Sequence, residues 1–392
     1  MGAIERIEIL AGEMTAWRRD LHRHPETAFE EHRTSEVVVR RLESFGVAVH
    51  RGLGKTGVVG TLKAGSGGRA IGLRADMDAL HIQEQNGFEH RSVNAGRMHA
   101  CGHDGHTAML LGAAKYLAET RNFDGTVHFI FQPAEENEGG GRAMVADGLF
   151  AKFPCDSVYG MHNYPGIAVG HFETRPGPMM ASFDIFEIEL QGRGSHAALP
   201  HTGVDPILAG ASLVQALQSV VSRNVSPVDA GVVSVTQFHG GDTWNVIPDG
   251  IVLRGTTRAF RPETQDLIER RLREIAENVA RTFGATAKVR YERCYPPVVN
   301  SERETAFCAE LLRGLVGAQN VNANTEPVMG SEDFAFMLQV KPGCYVFIGN
   351  GPGDGGCLLH NPHYDFNDTI LPLGASYWVR LTERLLGSES RL

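Results

Sequence analysis

The 392-residue sequence predicts an α/β protein: a mainly parallel sheet with helices, interrupted by an inserted ferredoxin-like domain. Two observations predict this. Strand-like and helix-like segments alternate over residues 1–181 and again over 295–392, whereas residues 182–294 follow the order β-α-β-β-α-β. The inserted stretch is also bounded by turn-forming runs, Arg175-Pro176-Gly177-Pro178 and Tyr295-Pro296-Pro297.

In order along the chain, Ala3 to Leu21 has amphipathic helical periodicity and Thr34 to Phe45 is a second helix. Gly57 to Leu62 and Ala70 to Arg74 read as strands, the latter running into Asp76-Met77-Asp78. Thr107 to Ala118 is apolar and alanine-rich, as a buried helix requires. Thr126 to Phe131 is a strand that leads into Gln132-Pro133-Ala134-Glu135-Glu136, and Ser157 to Met161 is another, ending at His162. In the insert, Phe186, Ile188 and Leu190 alternate with Glu187 and Glu189, the mark of a half-exposed strand. Helices follow at Pro206–Val221 and Pro262–Phe283, with strands at Val232–Phe238, Ile251–Phe260 and Thr286–Tyr291. After Val298 come a helix from Glu302, a second opened by Gly330-Ser331-Glu332-Asp333-Phe334, a strand Cys344–Ile348, a loop with His360, and a helix from about Ile370.

Composition narrows the function. Net charge is -9 with no Lys/Arg block, which speaks against nucleic-acid binding. Cys101, Cys155, Cys294, Cys308, Cys344 and Cys357 show no paired spacing, so they are expected to be reduced. No signal peptide and no membrane-length apolar run is visible, and the expectation is a cytoplasmic protein without a membrane partner.

The chemistry concentrates in Met98-His99-Ala100-Cys101-Gly102-His103-Asp104-Gly105-His106. A thiol and three imidazoles in nine residues are borderline-metal ligands, and the helix N-terminus that follows is expected to draw Cys101 towards thiolate. The plainer alternative is an N-cap at Asp104 with incidental histidines. Asp76, Asp78, Glu135, Glu136 and His162 all follow strand ends, where α/β sheets bind ligands. Adjacent side chains in extended chain point apart, so Glu135 and Glu136 suit two roles, one binding metal and one handling a proton. Taken singly, the acidic pair could be a solvated loop, and His162 and His360 ordinary histidines. Taken together, Cys101, His103, Glu136, His162 and His360 supply about three bonds to each of two metals if the thiolate bridges, and a shared water completes about four.

These motifs resemble the aminoacylase/glutamate-carboxypeptidase family of metallopeptidases, within it the branch of hippurate hydrolases and indole-3-acetyl-amino-acid hydrolases. The resemblance also rests on Arg18 to Glu26, Arg74 to Leu80, Gly194-Ser195-His196-Ala197-Ala198, Asn245-Val246-Ile247-Pro248, Gly330 to Phe334, and Tyr364-Asp365-Phe366. It implies an amidohydrolase with two divalent ions per subunit (Mn, Zn, Co or Ni) on those five ligands and a general base at Glu135. It further implies that the insert is a lid that dimerises, with His196 reaching the partner subunit's site to stabilise the oxyanion. Asn245 and Arg258 are candidate substrate contacts, Arg258 as a bidentate clamp on the amino-acid carboxylate. Asp76-Met77-Asp78 departs from the His-x-Asp of other branches, so Asp76 and Asp78 are expected behind the ligands, with Asp78 a candidate catalytic residue. His81 replaces a common proline and is read as a loop residue. The expected substrate is a small N-acyl amino acid. A dipeptidase or carboxypeptidase, a non-catalytic metal-binding relative, and a thiol enzyme using Cys101 are the competing readings.

Overall fold

In the computed structural model, which describes residues 4–352 and 357–387, eight strands of the first unit share one sheet. Its edge-to-edge order is Ala48–Leu53, Gly57–Ala64, Gly125–Gln132, Ala70–Asp76, Ser157–Pro165, Gly343–Gly351, Phe172–Glu173 and Val321–Asn322. The four adjacent strands from Gly125–Gln132 to Gly343–Gly351 are mutually parallel. Antiparallel pairing enters towards the two sides. The central strands are buried on both faces, which is why Ala70–Asp76 and Gly125–Gln132 read as nearly continuous apolar runs.

The helix His103–Thr120 lies within the core, with all but a few of its side chains buried. Ala11–Arg23 and Leu371–Leu385 pack against it, and Met14, Trp17, Leu110, Leu111 and Trp378 belong to one apolar cluster. The expected N-terminal helix is two helices, Glu5–Ile9 and Ala11–Arg23, because the chain turns at Leu10; Ala3 lies outside the described residues. The Ala48–Leu53 strand was not expected. Gly330–Phe334 leads only into the single turn Ala335–Leu338.

The chain divides into two units, one of Met1–Met179, Val299–Glu326 and Asp333–Leu392, the other of Met180–Val298 and Pro327–Glu332. The second unit has an antiparallel sheet ordered Gly231–His239, Gly250–Ala259, Phe183–Gln191, Thr286–Tyr295. Phe186, Ile188 and Leu190 share its core with Leu213, Leu217, Ile268 and Leu272 of the helices Pro206–Ser219 and Pro262–Thr282. Both helices start on a proline, and Asp205 caps the first by accepting from the Ile207 and Leu208 amides. Pro327–Glu332, read from sequence as part of the first domain, joins this unit because the Ala181 amide donates to the Val328 and Gly330 carbonyls. Among the described residues no helix is long and apolar enough to cross a membrane, and the six cysteines form no disulfide.

Candidate metal centre and active site

Parallel pairing brings the carboxyl ends of three neighbouring strands to one edge. Asp76 pairs with Gln132, the residue before Pro133-Ala134-Glu135-Glu136, and Ser157–Pro165 carries His162 and Asn163 alongside. His162 lies inside this strand, which runs on to Pro165 instead of stopping at Met161. The helix His103–Thr120 starts at the same edge, where the Thr107 hydroxyl donates to the Asp76 carbonyl at 2.9 Å. Its entry residue Gly102 has φ 96°, and a Cβ there would lie 2.2 Å from Asn163 Oδ1. Only glycine fits that turn.

Cys101, His103 and His162 place ligand atoms within 4.8 Å of one another, as do Cys101, Glu136 and His360, and His103, Glu135 and Glu136. Cys101 Sγ is 3.3 Å from His162 Nε2, and Glu136 Oε1 is 3.2 Å from His360 Nε2. His162 Nδ1 donates to the Asn163 carbonyl at 2.6 Å, and His103 Nδ1 donates to the Asp78 carbonyl at 2.9 Å. Each bond fixes a proton on Nδ1 and turns Nε2 to the cluster. His103 Nε2 and Glu136 Oε1 are buried without a hydrogen-bond partner among the described residues. Glu136 Oε1 approaches His360 without the alignment of a hydrogen bond.

The electrostatics follow from burial. Burial, then His106, pulls His162 well below the usual imidazole range and keeps it neutral. Burial pulls His103 down too, but the Asp76 carboxylate and Cys101 outweigh it and raise it. Burial pushes the Asp76 carboxyl up, but His103, Arg74 and His106 hold it well below the usual carboxylate range. Cys101 departs from expectation: burial, with the Glu136 carboxylate beside it, pushes the thiol up. The helix N-terminus does not overcome that, and a divalent cation is what reverses such a balance.

Glu135 is buried, and the Asp333 amide donates to its Oε1 at 3.4 Å. The acidic pair is therefore no solvated loop. Asp104 does not cap the helix; it accepts from His22 Nδ1 at 2.9 Å. Asp78, also buried, accepts from the Glu136 amide at 2.9 Å and lies 3.2 Å from His103 Nδ1, so it braces two candidate ligands. His81 is exposed in a bend.

In the second unit, Ser195–His196 and Val246–Ile247 form a two-stranded ribbon that brings His196 and Asn245 together. Both are exposed. His196 Nδ1 accepts from the Ala198 amide at 3.1 Å, which leaves the Nε2–H as a donor, and the Asn245 carbonyl accepts from the Ala197 amide at 2.9 Å. Arg258 is half-buried on another strand, its guanidinium 4.5 Å from the Phe183 ring centroid and donating to Thr256 and the Thr257 carbonyl.

The sequence signature of peptidase family M20/M25/M40 matches residues 72–384. The chain belongs to that family. It is 42% identical over 386 residues to a hippurate hydrolase of Campylobacter jejuni, covering 98% of this chain and all 100% of the relative. It is 38% identical over 384 residues to an N-acetyl-L-cysteine deacetylase of Bacillus subtilis, covering 98% and 90%. A solved Bacillus subtilis protein, described as a dinuclear metal binding peptidase from the M20 family, superposes with a TM-score of 0.84 at 35% identity, covering 97% and 99%.

Several residues around the centre of this M20/M25/M40 hydrolase had no role assigned from sequence. His106 Nδ1 donates to Asp76 Oδ1 at 2.6 Å, and His106 Nε2 accepts from the Asn163 amide at 3.0 Å. Buried Arg74 donates to Gln132, Asp76 and Asp333 at 2.9, 2.7 and 3.1 Å. Buried Arg18 donates to Asp365 and Asp368 at 2.8 and 2.7 Å. Charges carried inside a strand or helix that otherwise reads as apolar were the available signal, since such charges are buried only when paired.

Proposed function

We propose that the protein hydrolyses the amide bond of N-acyl-L-amino acids, such as hippurate-like, N-acetyl or indole-acetyl conjugates, to a carboxylic acid and a free amino acid. The observation that carries this reading is the pair of imidazoles, His103 and His162, each locked by a carbonyl with Nε2 turned towards the Cys101 thiol, beside the buried carboxyl of Glu135. One thiol, three imidazoles and one carboxylate form a mixed set that suits divalent Mn, Zn, Co or Ni. His103 Nε2 and Glu136 Oε1, buried without hydrogen bonds, fit such ions. Cys101, His103, Glu136, His162 and His360 would hold two. Bound there, divalent ions supply Lewis acidity and acidify a water.

Within this reading the chain's own residues do the rest. Glu135 takes the proton of the attacking water and returns it to the leaving amine. Asp78 keeps His103 in the ligating tautomer and fixes the Glu136 backbone. His196 donates to the developing oxyanion from a partner subunit in a homodimer, Arg258 holds the substrate carboxylate, and Asn245 hydrogen-bonds the substrate.

The test is a hydrolysis screen of N-benzoyl-, N-acetyl- and indole-acetyl-amino acids alongside free dipeptides, each with Mn(II), Co(II), Ni(II) or Zn(II). Turnover of the blocked compounds that a chelator abolishes is the expected result. Turnover confined to dipeptides with a free amine overturns the acyl-amino-acid reading, and chelator-resistant turnover overturns the metal reading in favour of a thiol nucleophile.

A further inference from the structure

The turn that carries Glu135 is conformationally demanding. Ala134, immediately before it, has φ 52°, in the left-handed region that alanine adopts only under constraint. The constraint comes from a residue 103 positions upstream. Glu31 is fully buried, and its Oε1 accepts from the Ala134 amide at 2.8 Å. The same oxygen accepts from the amide of Phe29, also left-handed with φ 60°, at 3.0 Å. Its Oε2 accepts from the Thr56 hydroxyl at 2.5 Å. One carboxylate therefore ties together two left-handed residues and a threonine from three separate segments.

The other contacts of the turn show what this bond controls. The Ala134 carbonyl accepts from the Gly140 amide at 2.9 Å, and the Glu136 amide donates to Asp78 at 2.9 Å. The backbone is thus fixed by Glu31 before Glu135 and by Asp78 after it. Without an acceptor for its buried amide, Ala134 is free to relax towards the right-handed or extended region, and that rotation carries the Glu135 side chain with it.

We infer that Glu31 is a positioning residue for Glu135, holding the left-handed Ala134 through its amide so that the Glu135 carboxyl is aimed at the centre. This rests on Glu135 being the proton carrier. What matters is the reach of Glu31 and its oxygen acceptor. Its charge is dispensable.

Three substitutions separate these. Glu31→Gln keeps length and an acceptor oxygen, Glu31→Asp keeps charge but loses reach, and Glu31→Ala loses both. Glu31→Asp and Glu31→Ala should lower kcat roughly 10- to 100-fold, with KM and metal content by elemental analysis within about 2-fold of wild type. Glu31→Gln should restore most of kcat. Hydrogen–deuterium exchange across residues 133–141 should rise in Glu31→Asp and not in Glu31→Gln. On a Glu135→Gln background, Glu31→Asp should cost almost nothing further, since the residue acts only through Glu135. If Glu31→Ala does not fold, the ordering of the other two decides. Wild-type kcat in Glu31→Asp beside an inactive Glu135→Gln overturns this inference alone, as do a worse defect in Glu31→Gln than in Glu31→Asp and equal losses on both backgrounds. Near-wild-type turnover in Glu135→Gln removes the base, and this inference with it.

Discussion

Glu135 and Glu136 are sequence neighbours with opposite surroundings. Glu136 sits against His360, and although burial raises its carboxyl, His360 and His103 bring it below the usual range. Glu135, whose carboxyl also comes within 4.8 Å of ligand atoms of His103 and Glu136, accepts from the Asp333 amide and, among the described residues, has no contact with His360 of the kind Glu136 makes. Glu135→Gln should therefore retain metal while kcat falls by roughly two or more orders of magnitude, checked by elemental analysis beside steady-state kinetics. Cys101→Ser should lose metal as well as rate, because a hydroxyl is a poor bridging ligand; full metal occupancy in that variant would contradict the shared role. A separate prediction concerns His22. Burial pulls its pKa down, but hydrogen bonds to Asp104 and Glu84 outweigh it and carry His22 from 6.5 up to about 9. A histidine raised on folding stabilises fully below its unfolded pKa, and that contribution disappears as pH rises through the folded value. The melting temperature of wild type should accordingly fall between pH 6.5 and about 9 more steeply than that of His22→Gln. Parallel slopes in a pH series of thermal melts would remove His22 from the pH response.

At the scale of elements, the join between Gly102 and the helix His103–Thr120 couples packing to the centre. In Gly102→Ala the new Cβ meets Asn163, whose carbonyl holds His162, and Tyr364 lies just behind at 2.9 Å. The variant should lose roughly 2 kcal/mol or more of stability and bind metal more weakly; thermal melts and metal titration check the two effects separately. Much of this architecture was legible beforehand. Asp76, Asp78, Glu135, Glu136 and His162 could be grouped because short apolar strands end abruptly in polar residues, and a parallel sheet gathers such ends; Cys101 and His103 stood out by their own spacing ahead of an apolar helix. The Ala48–Leu53 strand was not legible, because it is mostly exposed and carries no alternating pattern. The upward push on the Cys101 thiol was missed because a helix terminus is a local feature, whereas burial and Glu136 are tertiary ones. Glu31 was invisible for the same reason, since its partners Thr56 and Ala134 come from distant segments. Pro327–Glu332 joins the second unit through two backbone carbonyls, which side-chain patterns do not record.

For the molecule as a whole, the placement of His196 in the second unit leads to a prediction about subunits. If His196 serves the partner's centre, Glu135→Gln and His196→Ala are each nearly inactive alone. In a mixed dimer one centre carries both defects and the other none. Refolding the two variants together should therefore restore about a quarter of wild-type activity. A mixture as inactive as its parents, with subunit exchange confirmed by mass, would show that His196 does not act between subunits. Gly343–Gly351 pairs with Ser157–Pro165 in the middle of the large sheet, and the second unit lies between them in the chain. On the ribosome, the segment Met180–Val298 emerges complete before the strand that closes the sheet has been made. Closing so long a loop is slow. During synthesis Ser157–Pro165 therefore waits with an open hydrogen-bonding edge, the kind of surface through which a nascent chain aggregates.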